Sequence, residues 1–308
     1  MCSCTILGTY YEIYRAIVDD PRITINDIAK SMGRTGRGRA RSTISRHLSN
    51  MYEKKTSLKP NLILGTFENS QSIAYFCKKT ERKRIQSTFH ELHLDERVNY
   101  VLFLSGGCDY FITTRDQHAD FEKYNLEIVE KSTLYTPIFT IPRGWNTPMR
   151  ETLKSFVEHK YTKGLIPRSV NGIFQWSDLD WRIYTLMREN ARLEFTNVAK
   201  GTEVYSSTVR DHFYKNILPC CIVTHYFFPK GYDSYLQAFL RIYTKYESSF
   251  VTALGKLPCT SYIFPLENGF ATIMFHESTN DVMATIEKLE ETGIIDRYLL
   301  YTPLNWFV

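Results

Sequence analysis

The pattern of apolar and polar positions near the start of the chain returns in its second half. In "YEIYRAIVDDPRITINDIAK", which begins at Tyr11, the apolar residues Ile13, Tyr14 and Ile17 are spaced as on one face of a helix. The segment "WRIYTLMRENARLEFTNVAK", which begins at Trp181, repeats this spacing at an offset of 170 residues (181 − 11 = 170). Both copies continue into a second helical pattern, so we predict an internal duplication.

Two shorter repeats support the duplication. "LYTP" begins at Leu134 and again at Leu300, an offset of 166 (300 − 134 = 166), and "RSTISRHL" from Arg41 aligns with "SSTVRDHF" from Ser206 at 165 (206 − 41 = 165). The decrease in offset from 170 to 165 assigns five extra residues (170 − 165 = 5) to the first copy, inside a stretch rich in glycine and arginine.

The order of predicted elements is the same in both halves. Three short helices precede a strand-rich segment and then strand, helix, strand, strand, helix and strand. This order predicts an α+β fold with two repeats, each a winged helix-turn-helix followed by a ferredoxin-like βαββαβ domain. The predicted domains are a winged helix-turn-helix over 1–66, a ferredoxin-like domain over 67–146, a linker helix over 147–175, a second, degenerate winged helix-turn-helix over 176–232 and a second ferredoxin-like domain over 233–308.

Local signals position the elements of the first half. Helix one is predicted over roughly Thr9 to Asp19, and helix two begins at Thr24 or Asn26, because both are good N-cap residues. A later helix is predicted over "DQHADFEKY" in the first ferredoxin-like domain. Helix three is predicted to bury a stripe made of Ile44, Leu48 and Met51.

The stretch "SMGRTGRGRARSTISRHL" is the candidate for chemistry, since it holds five arginines and no acidic residue between Gly33 and Arg46. The spacing from Gly33 to Gly38 matches a phosphate-binding P-loop, but Arg39 and Ala40 replace its lysine and hydroxyl residues, so we reject that interpretation. With the apolar stripe of helix three buried, the polar residues of that helix face solvent at the end that enters a DNA major groove.

Arginine forks bond phosphate oxygens or guanine edges, and short hydroxyl side chains reach the same groups. We therefore predict contact with double-stranded DNA; a solvated basic loop is the alternative. In the second copy Asp211 stands where the first has Arg46, and a carboxylate there would repel phosphate, so the second module is predicted to be structural or protein-facing. The predicted DNA-binding residues are Arg34, Arg37, Arg39, Arg41, Ser42, Thr43, Ser45 and Arg46.

The composition limits which partners, cellular location and cofactors are expected. The 308 residues carry 38 Lys+Arg against 33 Asp+Glu, a net charge of +5, so DNA affinity must come from a local cluster. There is no run of about 18 apolar residues and no signal peptide at the start, which predicts a soluble cytoplasmic protein without a membrane partner. The seven cysteines include no CxxC pair, and "CSC" and "HELH" are incomplete metal sites, so no metal or cofactor is predicted.

Three segments of the chain resemble the Lrp/AsnC family of prokaryotic transcription regulators. "INDIAKSMG" and "RSTISRHLSNMYEKK" are similar to its helix two and recognition helix, and "VLFLSGGCDYFITT" to its strand–Gly–x–x–Asp–strand signature. The resemblance implies an effector site at Gly106, Gly107 and Asp109, with an amino acid or other small molecule as ligand; a plain hairpin turn is the alternative. We also predict a homodimer or larger even assembly.

Two other classes share this predicted fold. Siroheme decarboxylases resemble the same family, and the histidines, among them His225, His90 and His93, are the residues to consider for an enzyme. However, the sequence shows no nucleophile–base arrangement and no paired carboxylates, so we predict no enzymatic activity and no catalytic residues. The third class is a protein that uses its α+β domains only for assembly or partner binding, which would show little DNA affinity.

Overall fold

A computed structural model describes residues 2–34, 39–81 and 85–307, and the chain divides into two compact units. Both helix-turn-helix regions fall in one of them and both ferredoxin-like regions in the other. No described helix is long and apolar enough to cross a bilayer. The helical unit comprises Met1–Gly65, Gln175–Tyr235 and Pro258–Thr260, and the sheet unit comprises Thr66–Phe174, Leu236–Leu257 and Ser261–Val308.

The first helix-turn-helix forms where its apolar periodicity predicts. The Thr24 side chain caps the second helix by accepting a hydrogen bond from the Asp27 amide at 3.2 Å. Ile44 and Met51 are fully buried on the third helix, as the predicted stripe requires. The three helices are α1 (Cys2–Asp19), α2 (Ile25–Ser31) and α3 (Arg39–Glu53).

The second helix-turn-helix repeats this arrangement with a different ending. Ser177 and Asp180 form a capping box at the start of its first helix. Its last helix runs into a π-helical turn over Phe213–Ile217, so it is shorter than α3. The helices are α6 (Asp178–Met187), α7 (Phe195–Thr202) and α8 (Ser206–His212).

The strand that follows each helix-turn-helix pairs with its counterpart in the other copy. These strands are β1 (Asn61–Leu64) and β7 (Cys221–Thr224), and they form a two-stranded antiparallel ribbon. One strand from each repeat therefore builds this part of the helical unit.

In the sheet unit, each repeat forms an antiparallel four-stranded sheet of ferredoxin-like order. The described strands run β5-β2-β4-β3 in the first and β11-β8-β10-β9 in the second; β3 pairs with β11, and β6 adds to β9. The first repeat holds β2 (Ser72–Lys79), α4 (Ile85–Leu94), β3 (Val98–Ser105), β4 (Tyr110–Thr114) and β5 (Leu126–Leu134), followed by β6 (Ile138–Phe139) and α5 (Met149–Val157). The second holds β8 (Leu236–Tyr243), α9 (Glu247–Leu254), β9 (Tyr262–Pro265), β10 (Phe270–His276), α10 (Thr279–Glu291) and β11 (Arg297–Phe307).

The helix predicted over "DQHADFEKY" is wrong, because only a 3₁₀ turn forms there, over Glu122–Tyr124. Asp116 accepts a hydrogen bond from the His118 amide at 2.9 Å, and Asp120 accepts one from the Glu122 amide at 2.8 Å. These local side-chain bonds compete with helical hydrogen bonding, and two of them within one segment explain the irregular backbone.

Aromatic side chains fill the interior of the sheet unit. The ring of Phe111 on β4 lies 4.9 Å from Phe239 on β8 and 4.9 Å from Phe264 on β9. Since β4 and β9 are not neighbours in the strand order, these contacts require the sheet to curl until its two halves face each other. The two repeats thus share one apolar core.

Candidate functional site

The solvent face of α3 carries the basic and hydroxyl residues that the sequence singled out. Arg41, Ser42, Ser45 and Arg46 are exposed, and Thr43 is half-buried. The helix has this orientation because its opposite face packs into the core of the helical unit. Two guanidinium groups and two hydroxyls therefore face solvent on one helix.

The other arginines of the stretch differ in their position and contacts. Arg34 is half-buried, and its Nη2 donates a hydrogen bond to Thr9 Oγ1 on α1 at 3.1 Å. Arg39 is the first residue of α3. The site predicted at Arg37 lies outside the described residues. The structure thus ties Arg34 to the helical core and leaves Arg41 and Arg46 on the surface.

His47 lies next to these cations. Its ring is 5.6 Å from Tyr10 on α1, and within the described part of the chain its Nδ1 is buried without a hydrogen-bond partner. Burial lowers the pKa of His47, and the charges of Arg34 and Arg46 lower it further. Both arginines are therefore close enough to impose a positive field on this side of α3.

The equivalent surface of α8 is less basic. Arg210 and Asp211 are exposed, and the Asp211 carboxylate lies 3.8 Å from Lys215 Nζ. His212, the counterpart of His47, forms a 2.8 Å contact through Nδ1 with Asp180 Oδ1. Burial raises the pKa of Asp180, but hydrogen bonds from Ser177 and then from Asn216 and His212 lower this pKa to about 2.

In the sheet unit, the predicted effector turn is exposed at its glycines. Gly106 has φ +146°, and a Cβ there would lie 2.9 Å from Cδ1 of Tyr301, so the close approach of β11 requires glycine. Gly107 is also exposed. The Tyr301 hydroxyl donates to the sulfur of Cys108, the next residue of the turn, at 3.7 Å.

Asp109, the third predicted effector residue, has a structural partner. Its Oδ2 accepts a hydrogen bond from the backbone amide of Lys79 at 2.7 Å, and its own amide donates to the carbonyl of Cys77 at 2.9 Å. Both bonds hold the turn against the end of β2. The carboxylate is therefore engaged by the protein backbone.

A polar cluster that the sequence did not reveal lies on β5, β8 and β11 of the sheet unit. The Arg241 guanidinium on β8 is only 1% exposed, bonds Glu130 Oε1 on β5 at 2.8 Å and stacks 4.0 Å from the Tyr243 ring. Arg297 stacks 4.1 Å from that ring and is exposed. Burial, and then Cys108, Glu130 and Tyr243, raise the pKa of Tyr301, which links the cluster to the turn.

The equivalent turn in the second repeat is filled by the chain's own arginines. Arg241 Nη2 donates to the carbonyl of Asn268 at 2.6 Å, and Arg168 Nε donates to the carbonyl of Leu266 at 2.6 Å. A Cβ on Gly269 would lie 2.2 Å from the carbonyl oxygen of Ile242. The second repeat thus has no open equivalent of the exposed glycines at Gly106 and Gly107.

The histidines do not converge on a metal site. His90 and His93 are exposed on α4, and His225 is buried in the helical unit. Over residues 2–34, 39–81 and 85–307, no group of three or more His, Cys, Asp or Glu side chains is placed to hold a metal ion.

Comparison with solved structures relates this architecture to an enzyme. The crystal structure of the siroheme decarboxylase NirDL matches with a TM-score of 0.50 at 10% sequence identity, over 97% of this chain and 91% of that chain. NirDL in co-complex with an iron-uroporphyrin III analogue matches with a TM-score of 0.45 at 9% identity, over 96% and 92%. No protein-family description and no curated protein matches the chain.

The first match shows an Lrp/AsnC-like fold, which confirms the predicted α+β class. The same match corrects the prediction that the chain is not an enzyme. That prediction depended on finding no nucleophile–base arrangement and no paired carboxylates in the sequence, and a solved protein with this fold is a decarboxylase.

Proposed function

We propose that the chain binds double-stranded DNA through α3. The observation that carries this proposal is the exposed face of Arg41, Ser42, Ser45 and Arg46 on the third helix of a helix-turn-helix. Exposed guanidinium groups bind phosphates or guanine edges, and hydroxyls donate to phosphate oxygens. The function that follows is sequence-specific transcription regulation.

The test is a gel shift with randomised duplex DNA, enriched by the unaltered chain, at several salt concentrations. Replacing Arg41 and Arg46 by alanine should weaken binding by about 1–3 kcal/mol for each lost base contact, or flatten the salt slope by about one unit for each lost phosphate contact. An unchanged affinity in the double variant would remove the assignment to α3.

A small-molecule effector at the Gly106 turn is part of this proposal. The exposed glycines supply backbone amides, and Arg297 and Tyr243 of the same sheet unit supply a cation and an aromatic face for an amino acid. Thermal shift with single amino acids is the assay, since a ligand at 100 times its Kd stabilises by about 2.7 kcal/mol. A ligand response that survives Arg297→Ala would place the site elsewhere.

The second candidate is decarboxylation of a carboxylate-bearing tetrapyrrole. The comparison with solved structures favours it over DNA binding, because both repeats of this chain match NirDL in one alignment. When CO₂ leaves, the electron pair of the broken C–C bond stays on the substrate carbon, and a proton donor must then protonate that carbon. A cation at the site would hold the substrate in place through its carboxylates. We assign carboxylate binding to Arg297, which is exposed and has no carboxylate partner at ion-pair distance among the described residues.

One pair of measurements separates the two functions. Titration with siroheme, followed by absorbance and by CO₂ release, reports the enzyme. The salt-dependent gel shift reports the DNA binder. Arg297→Ala should impair only the first and Arg46→Ala only the second, so each variant is the control for the other.

A further inference from the structure

Arg22 and Arg192 occupy equivalent positions in the two repeats, at the offset of 170 that relates their first helices (192 − 22 = 170). Each arginine binds backbone carbonyls on either side of the other, and such bonds to a charged donor are strong. The four bonds run from Arg22 Nη1 to the carbonyls of Ala191 (2.9 Å) and Leu193 (2.8 Å), and from Arg192 Nη1 and Nη2 to those of Pro21 (2.7 Å) and Ile23 (2.9 Å).

The strand pairing has the same reciprocity. In the ribbon, β1 and β7 follow the equivalent helices α3 and α8, and they pair antiparallel with Asn61 opposite Thr224 and Leu64 opposite Cys221, so each strand meets its own counterpart from the other repeat. Contacts in which residue i meets j while j meets i are isologous, the type that two-fold symmetry produces between identical chains. The helical unit is thus an internal two-fold pair.

This pairing makes α3 and α8 equivalent elements whose buried faces match. Ile44 and Val209 are both fully buried at the offset of 165 (209 − 44 = 165). Their exposed faces have diverged, because the equivalents of Arg41 and Arg46 are Ser206 and Asp211. The repeats keep the same packing and differ in what they present to solvent.

We propose that one chain supplies the two-fold pair of helix-turn-helix modules that regulators usually build from two chains, and that only α3 contacts DNA. This inference rests on the proposed DNA binding and specifies its target. A single chain reads an asymmetric duplex site with one contacted half-site, since Asp211 on α8 repels phosphate. The reciprocal contacts of Arg22 and Arg192 take the place of a dimer interface.

The experiment compares matched surface variants on the two helices. A fluorescent duplex, enriched from randomised double-stranded oligonucleotides by the unaltered chain, is titrated by anisotropy and footprinted with hydroxyl radicals. Arg46→Ala on α3 and Arg210→Ala on α8 each remove one exposed arginine, and circular dichroism checks that both variants fold. We expect Arg46→Ala to weaken binding roughly 5- to 150-fold and Arg210→Ala to change it by less than about twofold.

Asp211→Arg provides a gain-of-function test. It restores a cation on α8 at the position of Arg46 and should tighten binding and steepen the salt dependence. A one-sided footprint at one chain per duplex supports the inference. Equal losses in Arg46→Ala and Arg210→Ala, or a symmetric footprint by one chain, would overturn it while leaving DNA binding intact; no binding by the unaltered chain removes both proposals.

Discussion

The Ser57 hydroxyl oxygen lies 2.7 Å from Nε2 of His225, inside the helical unit, although 168 residues separate the two along the chain. Ser57 also donates to the carbonyl of Tyr226 at 2.8 Å, so Nε2 of the neutral imidazole carries the proton that it shares with Ser57. Burial, and then the charge of Arg192, lower the pKa of His225 to about 3. The folded state therefore favours the neutral imidazole.

We predict that this histidine makes stability fall in mild acid. Its folded pKa lies below the unfolded value of about 6.5, so the unfolded chain binds the proton first and stability is lost as pH falls from about 6.5 towards 3. At pH 5 the expected loss is about 2 kcal/mol. Urea unfolding at pH 7 and pH 5 measures it.

His225→Phe should reduce the difference between these two pH values, whatever its effect on absolute stability. His118→Asn, at an exposed turn residue, is the matched control and should leave the difference unchanged. The same pH dependence in His225→Phe and the unaltered chain would contradict the assignment.

The close approach of Gly106 to Tyr301 predicts a position-specific cost for alanine. Gly106→Ala places a methyl 2.9 Å from the Tyr301 ring at a φ that other residues rarely adopt, so we expect a loss of about 1–3 kcal/mol. Gly172→Ala is the control, because a Cβ there meets nothing within 4 Å. Thermal unfolding of both variants measures the difference, and equal melting temperatures would show that β11 can move away.

We predict that removing the carboxylate partner of the buried Arg241 lowers the stability of the fold. Glu130→Ala leaves the guanidinium of Arg241 without its carboxylate, and breaking such a pair costs about 3 kcal/mol. Glu127→Ala removes an exposed carboxylate from the same strand and should stay within about 0.5 kcal/mol of the unaltered chain. Denaturant unfolding compares the two, and a loss in Glu130→Ala no larger than the control would show that the carboxylate of Glu130 does not stabilise the buried Arg241.

The oligomeric state stays a prediction, and light scattering at micromolar concentration tests it. The sequence predicts a homodimer or larger even assembly that places two copies of α3 on a pseudo-palindromic site. The internal pairing through Arg22 and Arg192 favours a single chain on an asymmetric site instead. A dimer mass with two half-sites footprinted supports the first, and a monomer mass with one half-site supports the second.

The sequence alone determined the duplication, the order of most elements and the buried stripe of α3, because these depend on repeats and on local periodicity. Ile44, Leu48 and Met51 are spaced to share one helix face in any fold that buries them. The signal failed at "DQHADFEKY", where aspartate side chains bond nearby amides and leave only a 3₁₀ turn. The hydrogen bond from Arg34 to Thr9 likewise could not be predicted from the sequence.

Only the tertiary structure decided how the copies meet. It pairs β1 with β7, curls the sheet through β3 and β11, engages Asp109 with the backbone of Lys79, and brings Glu130 to Arg241 across 111 residues of sequence. Contacts between positions so far apart produce no periodic pattern in the sequence. They form because each repeat has apolar faces and strand edges that its own elements do not cover, and the other repeat of the same chain covers them.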